Sequence, residues 1–339
     1  MASEQRESSH VFTFHLERRS VRRSATWGKP MSVLGRRVIA VALDEYRPPE
    51  EASRALTLAL DLAVRATASL LIVRISHDAD HGAARIEGFT DVIDGASRAL
   101  PGRIIVRTVT VDPTSAGQRS PDGSEIAPSE AGEAFVATAA GFGAGLLVVA
   151  ASSELFPLDG VVGAVVSAAE VPTVVVPPGL ERLEDRPFHV VVALDGIPQA
   201  GHVAEQISEL HGWFQASVSL LHVLHPGGGR LEGVASLAHD RAAQMLQRSA
   251  ACLGARGVEH GQIHVVVRSG PTSGVIVDHL RREHATLGVL PVVAPLPGHR
   301  RQRGVTSAVL ATSHVPIVLL HAWDDPNQST AALTHGFRH

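Results

Sequence analysis

Three short stretches carry side chains able to do chemistry. His77, Asp78, Asp80 and His81 lie close together, an imidazole and carboxylate set of the kind that holds a transition metal. Loops this rich in His and Asp are more often simply solvated, so no metal site is assigned. Ser273 sits in SGPTSG (269–274), a glycine-rich turn that could present a nucleophile. Its spacing is Gly-x-x-Ser-Gly instead of the Gly-x-Ser-x-Gly of a nucleophile elbow, and Pro271 with Thr272 reads as a helix start. No catalytic residue is assigned there. Cys252, the single cysteine, falls at helical spacing in RAAQMLQRSAACL and reads as a small buried hydrophobe. His335 and His339 belong to a terminal stretch without apolar periodicity.

The elements that would position such groups come from a chain that repeats itself. RRVIAVALDE, with Asp44, returns as FHVVVALDGI, with Asp195. ASLLIVRIS, with Val73, matches VSLLHVLHP, with Val223; GAGLLVVA matches ATLGVLPVV; and VPTVVVP, with Pro172, matches VPIVLLH, with Pro316. In the first half the apolar runs predict strands 37–43, 69–75, 103–111, 145–150 and 172–177, alternating with helices 49–66, 84–99, 129–141 and 160–169. The second half predicts strands 188–194, 217–224, 262–268, 286–293 and 315–321, with helices 198–213, 230–255, 272–284 and 304–313. Strand, helix, strand with right-handed crossovers makes an α/β fold, a doubly wound parallel sheet in each half. Helix 49–66 shows the logic: prolines at its start, Glu50 and Glu51 in the first turn, and Ala55, Leu58, Leu62 and Ala66 along one face. The expected domains are 36–178 and 188–323, joined by a charged, proline-bounded linker at 179–187 and flanked by tails 1–35 and 324–339.

Composition narrows the function. The chain has 339 residues, 45% hydrophobic and only 4% aromatic, which suits two α/β cores rich in Val, Leu and Ala. Its formal charge of −4 gives no overall footprint for nucleic acid, although Arg18, Arg19, Arg22 and Arg23 make the amino-terminal tail basic. Residues 134–153 carry no charge, but their Ala, Gly, Ser and Thr content reads as a helix end, a turn and a buried strand, LLVVA, in place of a membrane span. VFTFHL near the amino terminus lacks the pattern of a signal peptide, so a cytoplasmic protein is expected. The polar stretch 112–128 follows a strand at the carboxyl end of the sheet, where ligands bind in such folds.

Taken in order and twice over, the strand ending VALD, the Ala-rich helix EEASRALTLALDLAVRATA, the second strand SLLHV and the closing V-P-hydrophobic strand resemble the universal stress protein family in its tandem form, over 36–178 and 187–323. The resemblance implies two five-stranded, Rossmann-like domains of the adenine-nucleotide α-hydrolase type. It also implies that their last strands pair across a twofold interface, so that one chain forms an internal pseudo-dimer, with a homodimer of chains as a further option. In the family's ATP-binding branch an aspartate after the first strand meets the ribose or adenine side, a valine backbone in the second strand reads the adenine edge, and a run G-x2-G-x9-G-[S/T] wraps the phosphates. Carried over, the aspartates are Asp44 and Asp195 and the valines Val73 and Val223.

The phosphate run departs from the pattern in both halves. In the first, Ser152, Ser153 and Glu154 replace the early glycines and Asp159-Gly160-Val161 stands for Gly-Ser-Val, so two carboxylates would oppose a triphosphate. In the second, Gly298, Gly304, Val305 and Thr306 remain at altered spacing, with Arg303 where the late glycine belongs. His299, Arg300, Arg301 and Arg303 crowd that loop, and with the amides at the start of helix 304–313 they would hold an anion by charge. The expected function is a stress-response binding or regulatory protein, not an enzyme, with degenerate pockets, weak or absent ATP binding and an unidentified protein partner. The alternative is an ATP-binding switch or slow ATPase using the second pocket. Either way, ligand is expected in the second half.

Overall fold

The inner strands of the central sheet are buried on both faces, and the helices divide between the two sides accordingly. The computed structural model describes residues 37–44, 48–76, 87–111, 128–151, 160–178, 180, 183, 186–194, 200–225, 232–293 and 304–322. The first half contains β1 (Val38–Asp44), α1 (Pro49–Arg65), β2 (Ser69–Ser76), α2 (Glu87–Ala99), β3 (Ile104–Thr110), α3 (Pro128–Gly141), β4 (Leu146–Ala150), α4 (Val161–Ala168) and β5 (Thr173–Val176). The second contains β6 (His189–Ala193), α5 (Ala200–Phe214), β7 (Ser217–Leu224), α6 (Glu232–Ala255), β8 (Ile263–Ser269), α7 (Thr272–Arg282), β9 (Leu287–Val293), α8 (Val305–Thr312) and β10 (Ile317–Ala322), with a 3-10 turn at His260–Gln262.

These strands form one sheet of ten, in the order β3-β2-β1-β4-β5-β10-β9-β6-β7-β8. Neighbours are parallel within each half, and β5 meets β10 antiparallel. In that seam Val174 pairs with Val318, Val175 with Ile317 and Thr173 with Leu319, which places a pseudo-twofold axis at the Val174–Val318 pair. The family's expected strand pairing is thus supplied inside one chain.

Alternation along the strands sorts the core. Ile39, Val41 and Leu43 point to the side covered by α1, α5 and α6; Ala40 and Ala42 point to the side covered by α3, α4, α7 and α8. The helix face Ala55, Leu58, Leu62 and Ala66 is buried as the spacing requires. At the amino-terminal edge the halves lock through aromatic groups. Phe188 stacks on Phe214 at 4.6 Å, Arg65 lies over Phe188, and Arg37 lies over Trp213. Gly145 is required there, because a Cβ would stand 2.9 Å from Trp213 Cζ2. Arg65 Nη1 also donates to the Arg186 carbonyl at 3.0 Å, fixing the incoming chain of the second half.

Equivalent turns carry the same backbone. Thr67 and Gln215, before β2 and β7, both have positive φ, 52° and 53°; Gly143 and His284, before β4 and β9, follow suit at 67° and 50°. The pairing registers correct one sequence match. Ala42 faces Val73, while its counterpart Ala193 faces Leu221, so Val223 corresponds to Ile75 and not to Val73. The two SLL-x-V segments are buried on both faces, and similar apolar letters slide past one another without violating any pattern. Residues 134–150 form the end of α3, a turn and β4, residues 152 and 153 lie outside the described residues, and no described helix is long and apolar enough to cross a membrane.

Candidate functional site

At the carboxyl ends of β6, β7 and β9 the sheet opens under the first turns of α7 and α8. The cavity there is about 100 Å³, walled by Leu194, Leu221, Val223, Ile276, Pro291 and Val305, with Thr272 and Thr306 as its hydroxyl-bearing residues. The rim is held firmly. The Leu194 amide donates to Leu221 O at 2.8 Å, and His222 Nδ1 donates to the Leu194 carbonyl at 2.7 Å. Leu194 therefore cannot swing away, and the chain continues directly from it into Asp195. Gly304 precedes α8 in an extended conformation (φ −90°, ψ −176°), and no described side chain caps that helix, which leaves its first amides available to an anion.

The matching place in the first half is nearly filled. It measures about 20 Å³ and is lined by Ala42, Asp44, Glu51, Val149, Val161 and Val162. A space of that size accepts little more than a water molecule. Counting from the shared turns at Gly143 and His284, Phe135 of α3 stands where α7 has Ile276, and Phe135 is fully buried. A larger, fully buried ring thus stands in α3 at the position where α7 has an isoleucine that walls the cavity. Carboxylates also stand at this smaller space, Asp44 from β1 and Glu51 from α1, with no arginine among the described residues that line it. Gly160 precedes α4 at φ 67°, ψ −136°, a conformation that side chains disfavour. Gly160→Ala should therefore cost about 1–3 kcal/mol of stability, whereas Gly304→Ala should stay within about 0.5 kcal/mol; denaturant unfolding of the two variants makes the comparison.

Of the residues singled out in the sequence, Val223, Val305 and Thr306 meet at the larger cavity, with Gly304 at its edge. Asp44 and Val161 meet at the smaller one beside Gly160, while Val73 is fully buried in the sheet. Asp195, Gly298, Arg300, Arg301 and Arg303 lie outside the described residues, as do His77 to His81, most of 112–128 and the amino-terminal tail. Ser273 stands in the first turn of α7 at the position of Gly132 in α3, whose Cβ would come 2.9 Å from Val161 O. It is a place for a small residue between two helices. Cys252 is half-buried and packs on the core. Among the described residues no cluster of His, Cys, Asp and Glu is placed to hold a metal ion. The sequence reading missed Ile276 and Thr272, because a helical residue becomes a cavity wall only through packing that its own neighbours in sequence do not reveal.

Comparison with known proteins gives a consistent outcome. Residues 188–321 match the model of the universal stress protein family. The chain is similar in structure to a universal stress protein from Archaeoglobus fulgidus DSM 4304, at 15% identity and a TM-score of 0.54, covering 84% of this chain and 97% of that one. It is also similar to a functionally unknown protein from Pseudomonas aeruginosa PAO1, at 15% identity and a TM-score of 0.52, covering 88% of this chain and 97% of that one. Both likenesses span the two halves and concern the fold. No curated protein matches the sequence. The family model thus matches the second half, residues 188–321, and the first half repeats that half's fold.

Proposed function

We propose that this chain is a stress-response binding protein of regulatory type, with domains at 36–178 and 188–323, in which the first serves as scaffold and the second holds the ligand. The observation that carries the reading is the asymmetry of two cavities at matching places, about 100 Å³ against about 20 Å³. Ordinary small-molecule sites run to roughly 300–1,000 Å³, so the described walls accommodate a flat ring and not a whole nucleotide. Asp195 and the arginines at 300, 301 and 303, which follow or precede those walls in the chain, are the groups to which we assign the sugar and phosphate. Adenine nucleotide is the proposed ligand, ATP included, bound weakly with a dissociation constant on the order of 1 mM, about −4 kcal/mol.

Among the described residues the cavity walls carry two threonines as their polar side chains and no histidine, carboxylate or lysine to serve as a general base. The reading is therefore of a sensor or scaffold acting on protein partners in the cytoplasm. Calorimetric titration of the full chain with ATP, ADP and AMP tests it, together with Asp195→Ala and the triple change of Arg300, Arg301 and Arg303 to Ser. Weak binding of about one nucleotide per chain, lost in both variants, is the expected result. Binding at micromolar strength with turnover would instead favour the nucleotide switch or slow ATPase, and equal binding in all three proteins would overturn the assignment of these residues.

A further inference from the structure

On the face of the sheet that α7 covers, and on α7 itself, the second half has histidines that the first half does not have. His189 opens β6, and both of its ring nitrogens are engaged: Nδ1 lies 2.7 Å from Ser217 Oγ and Nε2 lies 3.2 Å from Ser219 Oγ. Ser217 gives its own hydrogen to the Phe188 carbonyl at 3.4 Å, which leaves it to accept from Nδ1–H, and with Nε2 unprotonated Ser219 donates to it. That is the hydrogen-bond pattern of a neutral imidazole. His279, on α7, is only 3% exposed; its Nδ1 stands 3.9 Å from Glu283 Oε1, and its Nε2 is buried with no partner among the described residues.

The charged and titratable groups facing these rings come from several elements. Around His189 they are Glu283 and His279 of the α7 end, His264 of β8, and Arg186 of the incoming chain; around His279 they are Glu283, Arg282 and Arg268 of β8. Glu283 is the single carboxylate among them, against three arginines. By the registers of strands and turns, the first half has Val38, Ile105 and Thr138 where the second has His189, His264 and His279. The duplication therefore contains its own control.

We propose that this histidine cluster is a proton-sensitive latch, in which protonation loosens α7 from the sheet and so opens the cavity wall that Thr272 and Ile276 provide. Burial is the chief reason that both His189 and His279 hold a proton less readily than a free histidine, with Glu283 opposing it. The closed arrangement is then fully favoured above about pH 6.5, where a free histidine is neutral, and loses ground as pH falls below that value. Each such histidine shifts the opening equilibrium by up to about tenfold per pH unit in that range, so the pair reaches about a hundredfold.

The test needs no ligand and is independent of what the cavity binds. Amide hydrogen exchange of the full chain is followed at pH 7.5 and 5.5, corrected for the intrinsic exchange rate, in segments 272–284 and, as the internal control, 131–143. The expected result is a loss of protection in α7, with about a hundredfold as its upper limit, while α3 keeps its protection. The variant H189V/H264I/H279T, which installs the first half's residues, should abolish the difference, and His279→Thr alone should reduce it to that of one histidine. Equal pH responses of α7 and α3, or an undiminished response in either variant, would overturn the proposal.

Discussion

Ile276→Phe should eliminate nucleotide binding by the full chain while leaving its fold intact. The substitution places in α7 the ring that α3 already carries as Phe135, where the surrounding sheet and helix accept it with complete burial. The second-half cavity of about 100 Å³ is small, and a phenyl ring projecting from one wall removes the space for a base. Overpacking typically costs about 1–3 kcal/mol, but here the ring enters open volume and the cost should lie at the lower end. A dissociation constant of order 1 mM would move beyond detection, while circular dichroism and the unfolding midpoint change little. Loss of structure along with binding would show that the cavity is packed more tightly than its first-half counterpart, and retained binding would place the ligand elsewhere.

The second large effect concerns the seam. Val318→Asp should cost more than about 4 kcal/mol, enough to unfold the chain or to separate its halves, because it buries a carboxylate at the centre of the sheet. Val318 is wholly buried, pairs with Val174 on the pseudo-twofold axis, and has no cation nearby in the seam strands, whose paired residues are Thr173, Val174, Val175, Ile317, Val318 and Leu319. Val64→Asp, on an exposed face of α1 at 48% exposure, serves as the control and should change stability by less than about 0.5 kcal/mol. Denaturant unfolding monitored at Trp213, which sits between the halves beside Arg37 and Gly145, distinguishes separation of the halves from general unfolding.

The fold could be read from the sequence because each element announces itself locally. The run at 69–75 becomes β2, and the pattern 304–313 becomes α8 with Gly304 as its cap, since strand and helix periods depend only on neighbouring residues. The duplicated chain then dictates the sheet order, including the antiparallel seam implied by the family resemblance. Alignment of the repeats failed where the chemistry is uniform. Val73 and Val223 share a local spelling but differ by two residues in register, because a slide of two residues keeps Ser, Leu and Val on the same faces of strands whose central residues are buried on both.

The site was legible only in part for a related reason. Val223, Val305 and Thr306 were found through motif spacing, which is local. The contrast between Ile276 and Phe135, which decides the size of the two cavities, is one apolar letter for another in the sequence, and its consequence exists only once a helix lies over a sheet. The same holds for His189 and His279, far apart along the chain, one on the sheet and the other on the helix that covers that face. Their types suggested nothing alone; burial and mutual placement give them a role.

The most direct test of a single ligand site in the second half is methyl NMR of the full chain, with Ile, Leu and Val methyls labelled and ATP titrated to millimolar concentration. The account predicts shifts at Ile276, Leu221, Leu290, Val223 and Val305, and none at Val149, Val161 or Val162 around the first-half cavity. Shifts at the first-half valines, or shifts of equal size in both halves, would contradict it.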